Sequence, residues 1–446
     1  MAQTAGSAVE AALENQRIGG LQIRVALLCG LVQICDGYDL NAIAWAVPSL
    51  IKGWGLPPPA FTTVFLWSSI GIMVGALSAG PLGDRFGRKP LLIVSLTIFG
   101  LASLASAWAA SLGPLAALRF VTGIGIGGGF SGAAALTGDY TPERRRALMI
   151  MASFTGAPLG GFLGGQLVAL LLPHFGWPVI FVLGGIFPLA LVVALAAFLP
   201  ESPRFLMARG APTPRHQALL ARLGIAGAAR EAHTLDLARG NPISMLFGRG
   251  YALQTVLLWI VYFCSLMNLF LFAYWMPTVL NLIGFAPAQA VFASSLRDCG
   301  ACFAVLYLGA AIDRFGPERS LALHYALGAV FIALIALVAL PYAALLVTTF
   351  FAGMTIIGSQ TGANGTCGKL YPARMRTSGL GWALGIGRLG GIAAPPLGGY
   401  LLSLGMAPTR IFLSASFVAL VAAAATGLLA FRGSRSGAAI AAEPAQ

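Results

Sequence analysis

Six ionisable side chains stand inside long apolar runs of this 446-residue chain: Asp36, Asp39, Arg119, Arg297, Asp298 and Arg388. A charge in hydrocarbon costs at least about 2.5–3.5 kcal/mol on insertion scales, so each needs a reason to be there. Asp36 and Asp39 are three apart, hence on one face of a helix. Two carboxylates close together in a poorly solvated cavity repel as anions, which suits the uptake and release of a proton. The plainer account is a solvated helix interruption at Gly37. Arg388 offers a planar fork that pairs a carboxylate; it could hold a ligand or an internal salt bridge between two halves. Arg119 fits either a carboxylate ligand or a standing partner of Asp36 or Asp39. Gln360 and Asn364, four apart on one helix face, would be costly as unpaired amides unless they line a cavity, where they could bond a polar group of a ligand. Tyr38, beside the aspartates, is another candidate contact. Arg297 and Asp298 are neighbours about 100° apart around a helix. They read as a local pair or as a mark of this protein's own substrate, and both readings stand.

The elements that must position these groups follow from composition. The chain is 58% hydrophobic and 9% charged, with mean hydropathy +0.85. Soluble proteins carry roughly 25% charged residues, so an ordinary water-soluble enzyme is excluded. Twelve apolar segments run from 22–50 to 409–431, among them 148–172, 251–276, 288–312 and 377–402; each can cross a bilayer at roughly 20 residues per span. One long polar stretch, Glu201 to Arg249, divides them six and six. The expected organisation is a cytosolic tail (1–21), a six-helix bundle (22–199), a cytosolic central loop (200–250), a second six-helix bundle (251–431) and a cytosolic tail (432–446). Lys and Arg crowd alternate loops, the tails and the central loop, whereas Lys52 and Arg410 fall on the other side. By the positive-inside rule both termini are cytoplasmic. The net charge of +13 is then an orientation signal, not a nucleic-acid footprint.

The halves also repeat. Asp84-Arg85-Phe86-Gly87 recurs as Asp313-Arg314-Phe315-Gly316. Pro142, Arg144 and Arg146 recur at nearly the same offset as Pro372, Arg374 and Arg376, and Pro158-Leu159-Gly160-Gly161 recurs as Pro396-Leu397-Gly398-Gly399. Two parallel six-helix halves around a midplane site make a transporter plan with alternating access. Gly123, Gly125 and Gly128, like Gly385, Gly387 and Gly390, formally fit GxGxxG, but they lie inside spans with no preceding strand. No Walker A, HExxH or GxSxG motif occurs. Cys299 and Cys302 have no His or second CxxC beside them. No cofactor, metal, ATP or enzymatic activity is expected.

The stretch Gly80 to Lys89 resembles the loop signature of the major facilitator superfamily, and Pro200-Glu201-Ser202-Pro203-Arg204-Phe205 resembles another of its recurring stretches. Asp36-Gly37-Tyr38-Asp39, the block from Arg119 to Arg144 and the block from Arg374 to Arg388 resemble the aromatic acid:proton symporters. The resemblance covers nearly the whole chain. It implies the major facilitator fold, proton coupling at Asp36 and Asp39, a functional histidine at His324, and substrate contacts at Arg388 and Arg119. It also implies a gate in which Asp84 lies against the N-terminus of the eleventh helix, Arg85 and Arg88 pair with Asp139, and Arg376 sits alongside. For His324 the competing reading is a structural donor near a helix end.

These strands meet in one expectation: an all-α polytopic inner-membrane protein with twelve transmembrane helices in two pseudo-symmetric bundles. It imports a small aromatic carboxylate, of benzoate or hydroxybenzoate type, by symport with protons through the lipid bilayer. Transport or exchange of another organic anion, and a non-transporting sensor, are the alternatives. Of the aromatic residues in the seventh span, Tyr274 and Trp275 suit the membrane-interface belt.

Overall fold

The computed structural model describes residues 19–208, 213, 217, 246–248, 251–371 and 373–441. The side chains of Arg144, Arg146, Asn364, Arg374 and Arg376 lie outside the described part, as do Pro372 and most of the central loop. Among the described residues there are only helices. They are α1 (Gly20–Trp54), a short 3-10 turn (Pro58–Phe61), α2 (Thr62–Phe86), α3 (Arg88–Ser106), α4 (Leu112–Tyr140), α5 (Glu143–Phe154), α6 (Gly156–Phe175), α7 (Pro178–Phe198) and α8 (Pro203–Ala208). After the central loop follow α9 (Ala252–Leu282), α10 (Pro287–Phe315), α11 (Pro317–Leu337), α12 (Tyr342–Leu370), α13 (Ala373–Ser403) and α14 (Arg410–Ala441). A backbone in hydrocarbon must satisfy its own polar groups, which is why the apolar runs become helices.

Ten of these segments are long and apolar enough to cross a membrane, counting the 3-10 turn with α2 and the end of α5 with α6. The expected spans 288–312 and 377–402 are helices too, α10 of 29 residues and α13 of 31. Their hydropathy is diluted by Arg297 and Asp298 in one and by Arg374, Arg376 and Arg388 in the other. The expected fifth span, 148–172, is divided at Thr155, where α5 hands over to α6. Helix α14 continues past Phe431 into the stretch read as a tail.

The repeat in sequence is a repeat in conformation. Gly87 (φ 100°) and Gly316 (φ 84°) close the two Asp-Arg-Phe-Gly motifs in the left-handed region, and each is followed at once by a new helix. Only glycine enters that region without strain. In both motifs the arginine guanidinium lies 5.3 Å from the ring of the phenylalanine after it.

Contacts group the chain into two compact units. The first comprises Met1–Leu40, Trp67–Gly160 and Pro178–Arg239; the second Asn41–Leu66, Gly161–Trp177 and Gly240–Gln446. In the first, α4 is the hub. Gly123 and Gly127 (i, i+4) lie against Ser68 and Ile72 of α2, whereas Gly125 and Gly128 (i, i+3) lie against Ser95 and Phe99 of α3. A Cβ at these sites would strike the neighbour, so glycine lets two helices close on α4 from different sides. Gly37 and Gly160 play that part between α1 and α6, packing on Ala157 and Ile34. The second unit uses the same pairing: Gly353 of α12 lies on the Arg297 backbone of α10, and Gly390 of α13 lies on Phe263 of α9. The first unit's core gathers Val32 of α1, Leu96 and Phe99 of α3, Leu136 of α4 and Leu195 of α7, all nearly or fully buried.

Candidate functional site

In the first unit α1 turns Asp36, Tyr38 and Asp39 inward, and all three are buried. Asp39 and Arg119 form a closed pair. Arg119 Nη1 donates to Asp39 Oδ1 at 3.1 Å and to Oδ2 at 2.9 Å, and Ser103 Oγ of α3 donates to Oδ1 at 2.8 Å. Arg119 Nη2 donates to Ser106 Oγ at 3.0 Å, and its guanidinium lies 4.9 Å from the Phe181 ring of α7. Gly184 of α7 leaves the room this arrangement needs, since a Cβ there would meet Ser103, Tyr38 and Asp39. Of the partners open to Arg119 in the sequence, Asp39 is the one the fold supplies. Tyr38 donates its hydroxyl to the Ile180 carbonyl at 2.7 Å.

Asp36 is different. It is fully buried, its carboxylate faces Gly129 of α4, and neither oxygen has a hydrogen-bond partner among the described residues. A carboxylate buried without a hydrogen-bond partner is costly as an anion.

In the second unit Arg388 sits near the middle of α13, half-buried. No hydrogen bond or ion pair joins it to another described residue. Gly387 and Gly390 beside it pack on Tyr262 and Phe263 of α9. Gln360 of α12 has a buried Oε1 without a partner among the described residues, while the Asn364 side chain is one of those outside them. His324 is held at both ring nitrogens: Nδ1 lies 2.6 Å from the Ser320 carbonyl and Nε2 2.6 Å from the Tyr307 hydroxyl. A carbonyl only accepts, so Nδ1 carries a hydrogen; Nε2 accepts from Tyr307 in the neutral imidazole and donates to it in the imidazolium. The Tyr307 ring stacks on the imidazole at 5.4 Å.

Arg297 and Asp298 do form a local pair, with Nη2 at 2.8 Å from Oδ1 and 2.9 Å from Oδ2. Tyr274 and Trp275 depart from the expectation of an interface belt. Both are fully buried, Tyr274 stacked on Phe65 at 4.8 Å and Trp275 edge-on to it at 5.4 Å. Phe65 and Gly398, which leaves room for the indole, create this niche.

Of the expected gate residues, Asp84, Arg85 and Arg88 lie where α2 meets α3, and Asp139 lies at the end of α4. Arg88 bonds Asp84 at 3.2 Å and reaches Asp139 at 3.4 Å, Arg85 lies over Phe86, and Asp84 is 73% exposed. Sequence reasoning missed much of the cluster. Ser202 donates to Asp139 at 2.6 Å and Arg204 lies 3.6 Å from it. Glu201 Oε1 accepts from the backbone N–H groups of Arg88 (2.9 Å) and Lys89 (3.2 Å), capping α3. Arg376 has its side chain outside the described residues. Ser103 and Ser106 were missed as well; their i, i+3 spacing in an apolar helix was the available signal. Among the described residues no group of His, Cys, Asp and Glu side chains could hold a metal ion.

The family model of the Major Facilitator Superfamily matches residues 29–395 and again 258–445. The chain belongs to that superfamily, and with it is a multi-pass membrane transporter and not an enzyme. It is 38% identical to the gallate transporter of Pseudomonas putida over 93% of each chain. It is 37% identical to the 4-hydroxybenzoate transporter of Pseudomonas aeruginosa (89% of this chain, 90% of the relative). A third relative is the 3-(3-hydroxy-phenyl)propionate transporter of Escherichia coli, 31% identical over 92% and 94%. The fold is similar to that of a D-xylose-proton symporter (TM-score 0.68, 19% identity, 91% and 97% covered).

Proposed function

We propose that this protein imports a hydroxylated aromatic carboxylate together with protons across the inner membrane, with both termini in the cytosol. The relatives named for gallate, 4-hydroxybenzoate and 3-(3-hydroxy-phenyl)propionate support the substrate class. The observation that carries the coupling is the contrast between the two aspartates of α1. Asp39 is neutralised by Arg119, while Asp36 is buried with no partner among the described residues. Asp36 is therefore the proton carrier in this reading, and the Asp39–Arg119 pair is the fixed frame beside it. Arg388, a half-buried arginine without an ion pair to a described residue, takes the substrate carboxylate; Gln360, Asn364 and Tyr38 are assigned to the ring and its hydroxyls. His324, clamped by Ser320 and Tyr307, serves the proton path by way of the Tyr307 hydroxyl. Asp84, Arg85, Arg88, Asp139 and Arg376 form the cytosolic gate. No cofactor takes part.

Uptake by the purified protein in proteoliposomes tests this. With the outside acidic, labelled 4-hydroxybenzoate accumulates above its equilibrium level, and an uncoupler abolishes the excess. Equilibration at the same level with and without the gradient would refute symport. A requirement for internal substrate would indicate exchange, and binding without any entry would indicate a sensor.

A further inference from the structure

Arg297 and Asp298 take no part in the function proposed above, yet their surroundings are specific. Asn41 of α1 faces both. Its Nδ2 donates to Asp298 Oδ2 at 3.1 Å, and its Oδ1 accepts from Arg297 Nη2 at 2.7 Å. One amide thus reads a cation and an anion at once, the two halves of its dipole meeting opposite charges. All three side chains are buried. Helix α6 closes over them at Gly161, where a Cβ would strike the Asp298 carboxylate and the Asn41 amide. Five residues further on, Gln166 Nε2 donates to Ser295 Oγ of α10 at 2.7 Å.

We propose that Asn41, Arg297 and Asp298, with Gln166 and Ser295, form a latch that fastens α1 and α6 to α10 on the side of the membrane opposite the Asp84–Lys89 loop. The latch breaks when the transporter opens on that side. Its chemistry suits a bond made and broken every cycle. Arg297 and Asp298 are on one helix and pair with each other through two guanidinium nitrogens. When Asn41 withdraws, neither charge is orphaned, and only a neutral amide passes from protein to water. An interhelical ion pair in the same place would separate two buried charges at each opening. Asn41 also stands two residues after Asp39 on the same helix, so movement of α1 at the aspartates reaches the latch directly.

This inference rests on the transport reading, so its test includes a readout that needs no substrate. In the full chain, Asn41→Ala removes both amide bonds. Gly161→Ala leaves Asn41 in place and wedges a methyl group into the contact. In detergent, amide hydrogen exchange over 54–61 speeds up by about fivefold or more in both variants, while exchange over 92–99 of α3 is unchanged. In proteoliposomes the KM for 4-hydroxybenzoate falls when it is offered on the latch side and rises by a similar factor on the other side, because the latch-side-open state gains population. Unchanged exchange with unchanged KM on both faces overturns the proposal, and so does a KM that rises on both faces. If the unaltered protein moves no aromatic acid, the transport reading fails and the exchange data alone decide the latch. Gln166→Ala, which severs the Gln166–Ser295 bond between α6 and α10, gives the same readouts should neither variant fold.

Discussion

At the scale of single residues, two aspartates one helical turn apart have opposite surroundings. Asp39 has a guanidinium, a serine hydroxyl and a neighbouring aromatic face to complete its site. Asp36 faces Gly129, and neither of its oxygens has a hydrogen-bond partner among the described residues. Asp36→Asn fixes the neutral form. The variant is expected to bind 4-hydroxybenzoate with affinity independent of pH and to lose accumulation driven by a pH gradient; gradient-driven uptake at the normal level would remove Asp36 from the coupling. Arg119→Ala leaves Asp39 buried without its cation, a loss of about 3–5 kcal/mol. Thermal unfolding in detergent should show a clear drop in Tm, and the double variant Asp39→Asn, Arg119→Gln should recover part of it, since no lone charge remains. A single-variant Tm equal to that of the unaltered protein would mean the pair is not structural.

At the scale of elements, helix ends do much of the work. Helix α3 starts directly after Gly87 with no side-chain cap of its own. Its first N–H groups are met by Glu201, more than a hundred residues away in sequence, and a carboxylate at a helix N-terminus also meets the positive end of the dipole. Tyr140 adds a bond of 2.6 Å to the Glu201 carbonyl, so one short stretch after α7 ties α3 and α4 together. Glu201→Ala should destabilise the protein by about 1–2 kcal/mol, and Glu201→Gln, which keeps the acceptor, by less. Differential scanning fluorimetry in detergent reads both, and equal effects of the two substitutions would argue against the cap.

At the scale of the whole molecule, duplication sets the plan. The same motif bends at Gly87 and at Gly316, and the helix pairs joined through glycine in one unit reappear in the other. The orientation proposed above, with the Lys- and Arg-rich alternate loops inside, puts the Asp84–Lys89 and Arg314–Arg319 loops in the cytosol. A fluorescent protein fused after Gln446 should therefore be bright, and an alkaline phosphatase fused there inactive, in a bacterial host. The reverse pattern would invert the orientation, and with it the direction of import.

The amino-acid sequence by itself determined the helical class, the internal repeat and the short roll of charged residues in apolar runs. It could do so because the penalty for an unpaired backbone group or a charge in hydrocarbon is local and is read residue by residue. It also singled out Asp36, Asp39, Arg119 and Arg388 as a set. Only the tertiary structure decided the partners. Arg119 meets Asp39 and not Asp36 because the glycines of α4 and α7 set how α1, α3 and α4 close on one another. Trp275 is buried and not at an interface because Gly398 opens a niche for it. Arg297 and Asp298 are answered by Asn41, an unremarked amide 256 positions from Arg297 in the chain. Which face of a helix finds which neighbour depends on side chains far apart in sequence, and no local pattern carries that information.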